Sequence, residues 1–439
     1  MYRTALEKLI RWKNDPRRKP LILQGARQVG KTWLACEFGS TQFQNTAHVT
    51  FLDNVGMKAV FEGSLDPKRL LDAISAETGT PAGNSDTLII LDEVQECPRA
   101  LTALKLFQEQ RPEVPLIAAG SLLGVALHRG VSFPVGKVDH LNLYPLTFQE
   151  FLMATEGSAL SDLIAKRDFD LMDAFSEKFT DALKRYYFVG GMPEAVALYA
   201  EEGDYAAVRA VQDRLLYDYD HDFSKYADGL LAERIRDVWR SIPSQLAREN
   251  KKFIYTAVRP GARARNFEEA IRWLVDAGLL LCVNRVSKPG LPLAAYQDPG
   301  IFKLFMLDVG LLGAASRLPS NTVIEGSLLF EEFKGALSEQ YVCQQFVASD
   351  SIIPYYWSAE NSSGEVDFIY DHDGNVVPVE VKAEKNVRSR SLAAFTKKYG
   401  IERSVRLSLS GYRDQGWLVN IPLYAANELP FAAWQQQGQ

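Results

Sequence analysis

The chain has 439 residues, of which 47% are hydrophobic and 24% are charged, and its formal net charge is −6. This length allows two or three domains with cores of their own, in an ordinary globular composition. The negative net charge argues against a wholly basic nucleic-acid coat, but it leaves room for local basic faces.

The cysteines and the apolar runs indicate a compartment. Cys36, Cys97, Cys282 and Cys343 lie far apart without a C-x-x-C pair, which disfavours a zinc site or a disulfide framework and fits a reducing cytosol. The first residues lack the apolar segment of a secretory signal, and no apolar run is long enough to span a bilayer. We therefore expect a cytoplasmic protein without a membrane partner.

A glycine-rich loop follows the first predicted strand, Leu21–Leu23. The loop is the complete G-x-x-x-x-G-K-[ST] motif Gly25-Ala26-Arg27-Gln28-Val29-Gly30-Lys31-Thr32. Backbone N–H groups at the start of the next helix would hold phosphates, and Lys31 would reach the β- and γ-phosphates. Thr32 would offer its hydroxyl to Mg²⁺. This pattern predicts a site for a nucleoside triphosphate.

A second apolar run, Leu88–Leu91, ends in Asp92 and Glu93. The tip of a buried parallel strand faces the ligand crevice, so we expect Asp92 in the Mg²⁺ shell and Glu93 polarising the attacking water. An ordinary polar strand end is the alternative. A further strand, Leu116–Ala119, is followed by Gly120 and Ser121. Ser121 could sense the γ-phosphate or the water, or it could simply be a serine in a turn.

Strand and helix patterns alternate up to about residue 145. With a further strand at His48–Leu52, they predict a parallel sheet in residues 1–150. Residues 151–235 look mostly helical and acidic, as in a lid, and are broken at Gly190-Gly191-Met192-Pro193.

Residues 236–322 change pattern again. Helical periodicity over 267–277 ends at Gly278, and two strand-like runs, Leu279–Val286 and Ile301–Leu307, follow it. Helices followed by two strands describe a winged helix. Its first half carries a basic stripe, Arg240, Arg248, Lys251, Lys252, Arg259, Arg263 and Arg265, against Glu249. Such a stripe suits a DNA backbone, but a solvated face or a protein-docking module would look the same.

A hairpin is predicted around Asp373-Gly374, a two-residue turn between alternating strands. Its register sets His372 opposite Asn375 and Asp367 opposite Glu380, with Lys382 on the same face. Facing carboxylates are unfavourable unless a cation lies between them, so this pair predicts one divalent ion, Mg²⁺ or Mn²⁺. Lys382 could orient or deprotonate a water, or stabilise charge on a phosphate.

Two neighbouring segments extend this hypothesis. Glu339 lies on a predicted helix, 330–346, as a possible fourth polar member of the site. Residues 382–406 contain eight basic residues against Glu384 and Glu402, which suits a phosphodiester substrate. An exposed hairpin with cross-strand charge pairs is the alternative.

With these residues, the chain resembles a prokaryotic family of predicted AAA+ ATPases that have a C-terminal domain of unknown function. The resemblance covers nearly the whole chain and rests on the segments at 25–32, 91–95, 120–121, 144–151, 190–194 and 223–226. It implies ATP as the nucleotide and assembly into a homo-oligomeric ring. The tail resembles the PD-(D/E)xK restriction-endonuclease-like fold, which implies Asp367, Glu380 and Lys382 on the motif and Glu339 on the first helix.

One departure concerns the arginine finger. Relatives usually carry Gly-Arg where this chain has Gly136-Lys137. If that arginine is the finger, Lys137 implies weaker hydrolysis, because a lysine lacks the planar guanidinium fork. Otherwise Arg129 takes the role.

The combined prediction is an α/β protein of four parts. A P-loop AAA+ parallel-sheet module (1–150) precedes a helical lid-like region (151–235), a winged-helix segment (236–322) and a C-terminal α/β restriction-endonuclease-like domain (323–439). The predicted function is a Mg²⁺-dependent ATPase coupled to a DNA-binding, nuclease-like half. The alternative is an ATP-dependent regulatory switch that binds a protein partner, with a degenerate nuclease-like domain.

Overall fold

The computed structural model describes residues 1–121, 136–227, 229–248, 251–321, 328–349, 351–359, 364–384 and 389–429. The chain forms two compact units. The N-terminal unit comprises Tyr2–Tyr144 and Asp276–Leu279, and the C-terminal unit comprises Met1, Pro145–Val275 and Leu280–Gln439. No helix in the described part of the chain is both long enough and apolar enough to cross a membrane.

The N-terminal unit is built on a parallel sheet of order β2-β3-β4-β1-β5. Its strands are β1 (Leu21–Gln24), β2 (Asn45–Thr50), β3 (Thr87–Asp92), β4 (Leu116–Gly120) and β5 (Asp139–Asn142). Its helices are α1 (Ala5–Asn14), α2 (Lys31–Gln42), α3 (Val55–Glu62), α4 (Pro67–Thr78) and α5 (Arg99–Gln110). The predicted parallel sheet is confirmed.

Burial explains which strands the sequence revealed. Every residue of β3 and β4 is buried, as expected of parallel strands covered on both faces, which read as continuous apolar runs. Strand β5 has the sequence Asp-His-Leu-Asn, and only Leu141 of it is buried. This edge strand was therefore not predicted. Helices α3, α4 and α5 cover one face of the sheet through a cluster that includes Phe61, Ile74 and Phe107.

The C-terminal unit is built on a mixed eight-stranded sheet of order β12-β13-β11-β10-β9-β8-β6-β7. Its strands are β6 (Leu280–Val286), β7 (Gln297–Met306), β8 (Tyr355–Ser358), β9 (Glu365–His372), β10 (Asn375–Val381), β11 (Ser404–Ser408), β12 (Arg413–Asp414) and β13 (Leu418–Pro422). Its helices are α6 (Phe148–Thr155), α7 (Ser158–Lys166), α8 (Phe169–Ala174), α9 (Ser176–Val189), α10 (Pro193–Glu202), α11 (Tyr205–Tyr226), α12 (Gly229–Leu246), α13 (Tyr255–Val258), α14 (Ala264–Asp276), α15 (Val309–Ala315), α16 (Leu328–Ala348) and α17 (Arg390–Tyr399).

The predicted hairpin is present with the predicted register. Asn375 lies opposite His372, and the ladder continues to the pair Val379 and Phe368. Asp373 and Gly374 both have positive φ, 47° and 77°, as a two-residue type I′ turn requires. Asp367 and Glu380 are the next residues outward on the two strands.

The two strands expected to form a wing have a different setting. β6 and β7 pair antiparallel, as expected, but β6 also pairs in parallel with β8. They therefore form one edge of the sheet that contains the hairpin, and the predicted boundary at 322/323 does not separate two sheets. Five of the seven β6 residues are buried. A strand this buried needs a paired strand on each side and packing on both faces, which an exposed wing lacks.

A buried polar network connects two of the segments that carry the resemblance, 144–151 and 190–194. Leu146 N–H donates to Gly191 O over 2.6 Å, and Gly191 N–H donates to Asp308 Oδ2 over 2.6 Å. The Tyr186 hydroxyl donates to Leu146 O and accepts from Gln344 Nε2 over 2.9 Å. Buried backbone groups must be paired, so these hydrogen bonds tie Leu146 and Gly191 into the core of the C-terminal unit.

Candidate functional site

Three strand ends meet at one edge of the parallel sheet. In the β1–β4 ladder Gln24 lies opposite Gly120, and in the β3–β4 ladder Leu91 lies opposite Ala118. The loop after β1, the carboxylates at the end of β3 and Ser121 after β4 therefore lie side by side. This is the crevice in which open α/β sheets bind ligands, and the structure gathers there the residues predicted from three separate segments.

The backbone of the loop requires its two glycines. Gly25 has φ +152°, and a Cβ there would lie 2.2 Å from Leu143 O. Gly30 adopts a left-handed conformation (φ 92°) immediately before helix α2. Ala26 and Val29 are buried and fix the loop to the core of the unit. The loop leads into the start of α2, whose N–H groups can bind phosphate.

Lys31 is the buried cation of the loop. Its ammonium donates to Gly25 O over 3.0 Å and to Ala26 O over 2.7 Å. Burial lowers the pKa of Lys31 to about 8, against the raising effect of Glu93 and Asp92, while the charge of Arg27 lowers it further. A phosphate beside this ammonium would favour its charged form and so raise the pKa that burial has lowered. Arg27 and Gln28 lie on the same loop, Gln28 with φ 64°.

Asp92 is bonded through both carboxylate oxygens. Thr32 Oγ1 donates to Oδ2 over 2.7 Å, and the Glu93 N–H donates to Oδ1 over 2.9 Å. Burial opposes the charged form, but the hydrogen bonds from His48 and Thr32 lower the pKa of Asp92, so the carboxylate stays ionised. An ionised carboxylate bonded to a hydroxyl is a donor set that suits Mg²⁺.

His48 is a member of the site that the sequence did not reveal. It lies on β2, which pairs with the Asp92 strand, and its Nε2 is 3.5 Å from Asp92 Oδ2. The hydrogen bond to Asp92 raises the pKa of His48 to about 10, with a contribution from Cys36, whose Sγ lies 4.0 Å from His48 Nδ1. The imidazolium and the Thr32 hydroxyl thus share the same oxygen of Asp92, Oδ2. The sequence offered one indication of its role, a histidine in the predicted strand at His48–Leu52.

Glu93 and Ser121 complete this edge. Glu93 has φ 54°, a left-handed conformation that costs energy for a residue with a side chain and is concentrated at functional sites. The side-chain amide of Gln95 donates to Glu93 Oε2, which fixes the carboxylate. Ser121 is buried, with 3% of its surface exposed.

The structure describes Lys137 but not Arg129, the two candidates for the role of the arginine finger. The Lys137 ammonium lies 3.1 Å from the Glu109 carboxylate within the N-terminal unit, so its charge is matched locally. Arg129 lies outside the described residues. The finger and ring assembly stay predictions from the resemblance.

The hairpin builds the second candidate site. The Val381 N–H donates to Asp367 Oδ2 over 2.8 Å, and Lys382 Nζ lies 3.1 Å from Glu380 Oε1. Glu380 Oε2 is buried and has no hydrogen-bond partner among the described residues. Burial, followed by the charge of Glu339, raises the pKa of Asp367 to about 7. Lys303 and Lys382 oppose this rise but do not outweigh the effect of burial.

Glu339 is bonded differently from the predicted arrangement. Its Oε1 pairs with Lys251, and its Oε2 lies 3.5 Å from Lys303 Nζ. Lys303 was not predicted as a member of the site; it also lies 2.5 Å from Glu365 Oε1. Across the described ranges, no group of three or more histidine, cysteine or acidic residues is placed to hold a metal. Asp367 and Glu380 therefore remain the candidate metal ligands, whereas Glu339 is paired with Lys251 and Lys303.

Several members of the predicted basic stripe are neutralised inside the C-terminal unit. Arg240 pairs with Asp220, Arg259 pairs with Glu233 and Asp237, and Lys251 is bound to Glu339. Arg263 and Arg265 are exposed. Glu249 lies outside the described residues. The local pattern showed charges but not their partners, because those partners lie on other helices, 20 to 88 residues away in the sequence.

Three family models match separate parts of the chain. An AAA domain matches residues 17–152, and two domains of unknown function, DUF8612 and DUF4143, match residues 180–322 and 334–424. No curated protein matches the chain.

Solved structures show distant similarity. A Walker-type ATPase of Pyrococcus abyssi has 12% identity and a TM-score of 0.46 over 72% of this chain and 95% of that one. The RuvB Holliday junction branch migration motor of Thermotoga maritima has 16% identity and a TM-score of 0.29 over 64% and 89%. A STAND signal-transduction ATPase with a tetratricopeptide repeat sensor from Pyrococcus horikoshii has 14% identity and a TM-score of 0.27. The alignment covers 79% of this chain and 45% of that protein. Residues 17–152 therefore match an AAA domain, and the loop geometry within them is that of a P-loop.

Proposed function

We propose that the N-terminal unit hydrolyses ATP with Mg²⁺ and that this reaction drives a C-terminal unit directed at DNA phosphodiesters. The observation that carries the first half is the 2.7 Å hydrogen bond from Thr32 to Asp92. It joins the hydroxyl of the phosphate loop to the strand-end carboxylate, the two groups that would hold Mg²⁺. The ion, when bound, would neutralise charge on the β- and γ-phosphate oxygens.

Each remaining residue has a separate task in hydrolysis. Lys31 would leave the loop carbonyls and donate to phosphate oxygens. Glu93, fixed by Gln95, would accept a hydrogen bond from the attacking water and orient it toward phosphorus. Ser121 would donate to the γ-phosphate or to that water. Attack breaks the bond between the γ-phosphorus and the bridging oxygen and yields ADP and inorganic phosphate.

Two substitutions separate binding from turnover. Lys31→Ala should abolish ATP binding, because it removes the ammonium that meets the phosphates. Glu93→Gln should bind ATP as wild type does and lose about 10²–10⁴-fold in rate, the usual contribution of a positioned base. Lys68→Ala, at an exposed lysine of helix α4, is the matched control for Lys31→Ala. Equal ATP affinity in Lys31→Ala and Lys68→Ala would contradict the assignment.

The proposal for the C-terminal unit rests on the hairpin. Glu380 Oε2, which is buried and finds no hydrogen-bond partner among the described residues, and the adjacent carboxylate of Asp367 would hold a divalent cation. That cation would supply charge stabilisation to a phosphodiester. Lys382, whose pKa is raised because Asp367 and Glu380 outweigh the opposing effect of burial, stays charged and would donate to a phosphate oxygen.

Two observations favour the alternative, a regulatory switch with a degenerate nuclease-like domain. Glu339 is held by Lys251 and Lys303. Three of the seven basic residues of the predicted stripe, Arg240, Lys251 and Arg259, pair with carboxylates of the same unit. In that function ATP binding changes the conformation, and the C-terminal unit binds a protein partner.

DNA separates the two functions. The first predicts binding to single- or double-stranded DNA at low salt, an ATPase rate that changes with DNA, and metal-dependent cleavage that Asp367→Asn/Glu380→Gln removes. Arg263→Ala/Arg265→Ala should flatten the salt dependence by about one unit of log–log slope for each phosphate that the protein no longer neutralises. Lys288→Ala, an exposed lysine of the same unit, is the control. No DNA affinity at low salt would favour the switch.

A further inference from the structure

We infer that a cavity in the C-terminal unit, between helix α17 and the ends of strands β6 and β8, binds a small organic anion with a planar ring, of the class of the nucleoside monophosphates. The described residues that line it come from 285–287, 357–359, 364 and 391–399. None of them belongs to the phosphate loop or to the hairpin carboxylates, so the cavity is separate from both candidate sites described above.

The cavity has the size of a small-molecule site. Its volume is about 530 Å³, within the range of roughly 300–1,000 Å³ that such sites occupy. The sheet contributes Arg285 from β6 and Trp357 from β8, and helix α17 contributes Phe395, Lys398 and Tyr399. Elements of regular structure therefore hold the wall in place, and a ligand as large as a mononucleotide fits the space.

Lys398 gives the cavity its unmatched positive charge. The residue is exposed, and its ammonium lies 5.6 Å from the centroid of the Trp357 ring and 5.0 Å from that of the Tyr399 ring. Within the described ranges, this ammonium forms no hydrogen bond or ion pair, and no aspartate or glutamate lines the cavity. A site with a cation and no acid attracts an anion.

Arg285 supplies fixed hydrogen-bond donors to the wall formed by the sheet. The residue is 8% exposed. Its Nε and Nη2 donate to Ser358 O over 3.1 and 2.8 Å, and its Nη1 donates to Asp298 Oδ2 over 3.3 Å. A guanidinium has five N–H groups, and these contacts occupy three of them. Because Asp298 balances the charge of Arg285, Lys398 remains the cation that an anionic group would bind.

Three aromatic side chains form an apolar wall. Between ring centroids, Trp357 lies 4.8 Å from Phe395 and 5.9 Å from Tyr399, and Phe395 lies 4.9 Å from Tyr399. Trp357 and Phe395 belong to a buried cluster that includes Val366 and Leu392, so the wall is preformed. Tyr399 packs against this cluster and is only partly buried. Aromatic walls of this kind favour a planar ring as their partner.

Two polar groups of the aromatic wall lack a partner. The indole N–H of Trp357 and the hydroxyl of Tyr399 form no hydrogen bond in the part of the chain that the structure describes, although Trp357 is only 7% exposed. The polar end of a buried tryptophan or tyrosine usually has a partner, which an occupant of the cavity would supply. A nucleoside monophosphate combines a phosphate for Lys398, a planar base for the rings and acceptors for these two groups.

The experiment measures binding to the full chain in a Lys31→Ala background, in which the phosphate loop lacks its ammonium. Isothermal titration calorimetry with AMP, GMP, CMP and UMP should show one nucleotide per chain for at least one of the four. Lys398→Ala should weaken this binding about 10–100-fold, the effect of losing a hydrogen bond to a charged group. Trp357→Phe, which keeps a ring and removes the N–H, should weaken it about 2–10-fold.

Two further variants make the test independent of the aromatic core. Lys397→Ala, at an exposed lysine of α17 that does not line the cavity, is the control and should bind as its parent does. Ser391 lines the cavity and is exposed, so Ser391→Trp should fill the cavity, abolish binding and leave the melting temperature unchanged. Nucleotide binding that is the same in Lys398→Ala, Ser391→Trp and the control would show that the cavity is not the site.

A single-stranded oligonucleotide presents the same phosphate and base, and separate arms distinguish it from a free nucleotide. If the monophosphates do not bind but an oligothymidylate binds and loses affinity in Lys398→Ala, the ligand is a nucleotide of a strand. Inorganic phosphate and an abasic oligonucleotide of equal length test the need for a ring. Equal binding of either ringless compound, or no binding of any nucleotide or strand, would overturn the inference.

Discussion

Gly191→Ala should destabilise the C-terminal unit severely. A Cβ at this position would lie 2.2 Å from Leu146 O and 2.8 Å from Leu146 N, so the new methyl group would meet backbone and not a flexible side chain. The two segments cannot separate freely. Leu146 N–H donates to Gly191 O, Gly191 N–H donates to Asp308, and the Tyr186 hydroxyl donates to Leu146 O.

The expected magnitude combines two effects. Overpacking costs about 1–3 kcal/mol, and weakening a buried hydrogen bond as the segments move apart costs a further 1–3 kcal/mol or so. We therefore expect a loss of about 2–6 kcal/mol in the free energy of unfolding. For a unit of this size that corresponds to a fall in melting temperature of roughly 3–10 °C.

Urea and thermal unfolding followed by circular dichroism measure this change. Gly335→Ala is the matched control, because Gly335 lies within helix α16 of the same unit and nothing lies within 4 Å of a Cβ there. It should be neutral or stabilising by up to about 1 kcal/mol, the helix preference of alanine over glycine. If Gly191→Ala is as stable as Gly335→Ala, the close approach of the two segments is wrong.

Three further predictions follow from buried or paired side chains. The pKa of His48 is about 10 in the fold against 6.5 in the unfolded chain. Its charged form therefore stabilises the metal-free fold fully below pH 6.5, and this contribution is lost as the pH rises toward 10. In urea unfolding between pH 7 and 10, the free energy of unfolding should fall more steeply in wild type than in His48→Gln. Tyr186→Phe should cost about 1–3 kcal/mol, because Leu146 O and Gln344 Nε2 lose a buried partner, and an unchanged urea midpoint would contradict the network. Lys251→Met should lower the melting temperature without changing the salt dependence of DNA binding, since its charge is bound to Glu339; a flatter salt slope would return Lys251 to the DNA-binding face.

The sequence determined the features that depend on neighbouring residues. The phosphate loop, the strands β1, β3 and β4 and the hairpin register could be predicted because glycine positions, continuous apolar runs and a period of two are local patterns. Parallel strands then place Lys31, Asp92 and Ser121 at one edge without further information. The domain match to residues 17–152 agrees with that prediction.

Only the tertiary structure decided the long-range partners. Strand β5 was missed because its residues are mostly polar. Strands β6 and β7 belong to the large sheet because β6 pairs with β8, whose partner residues lie 71 positions further along the chain. Lys251 and Glu339, 88 residues apart, form an ion pair that no period or motif records. The identity of a charged residue shows that it needs a partner, but the fold decides whether that partner is a phosphate, a metal or another side chain.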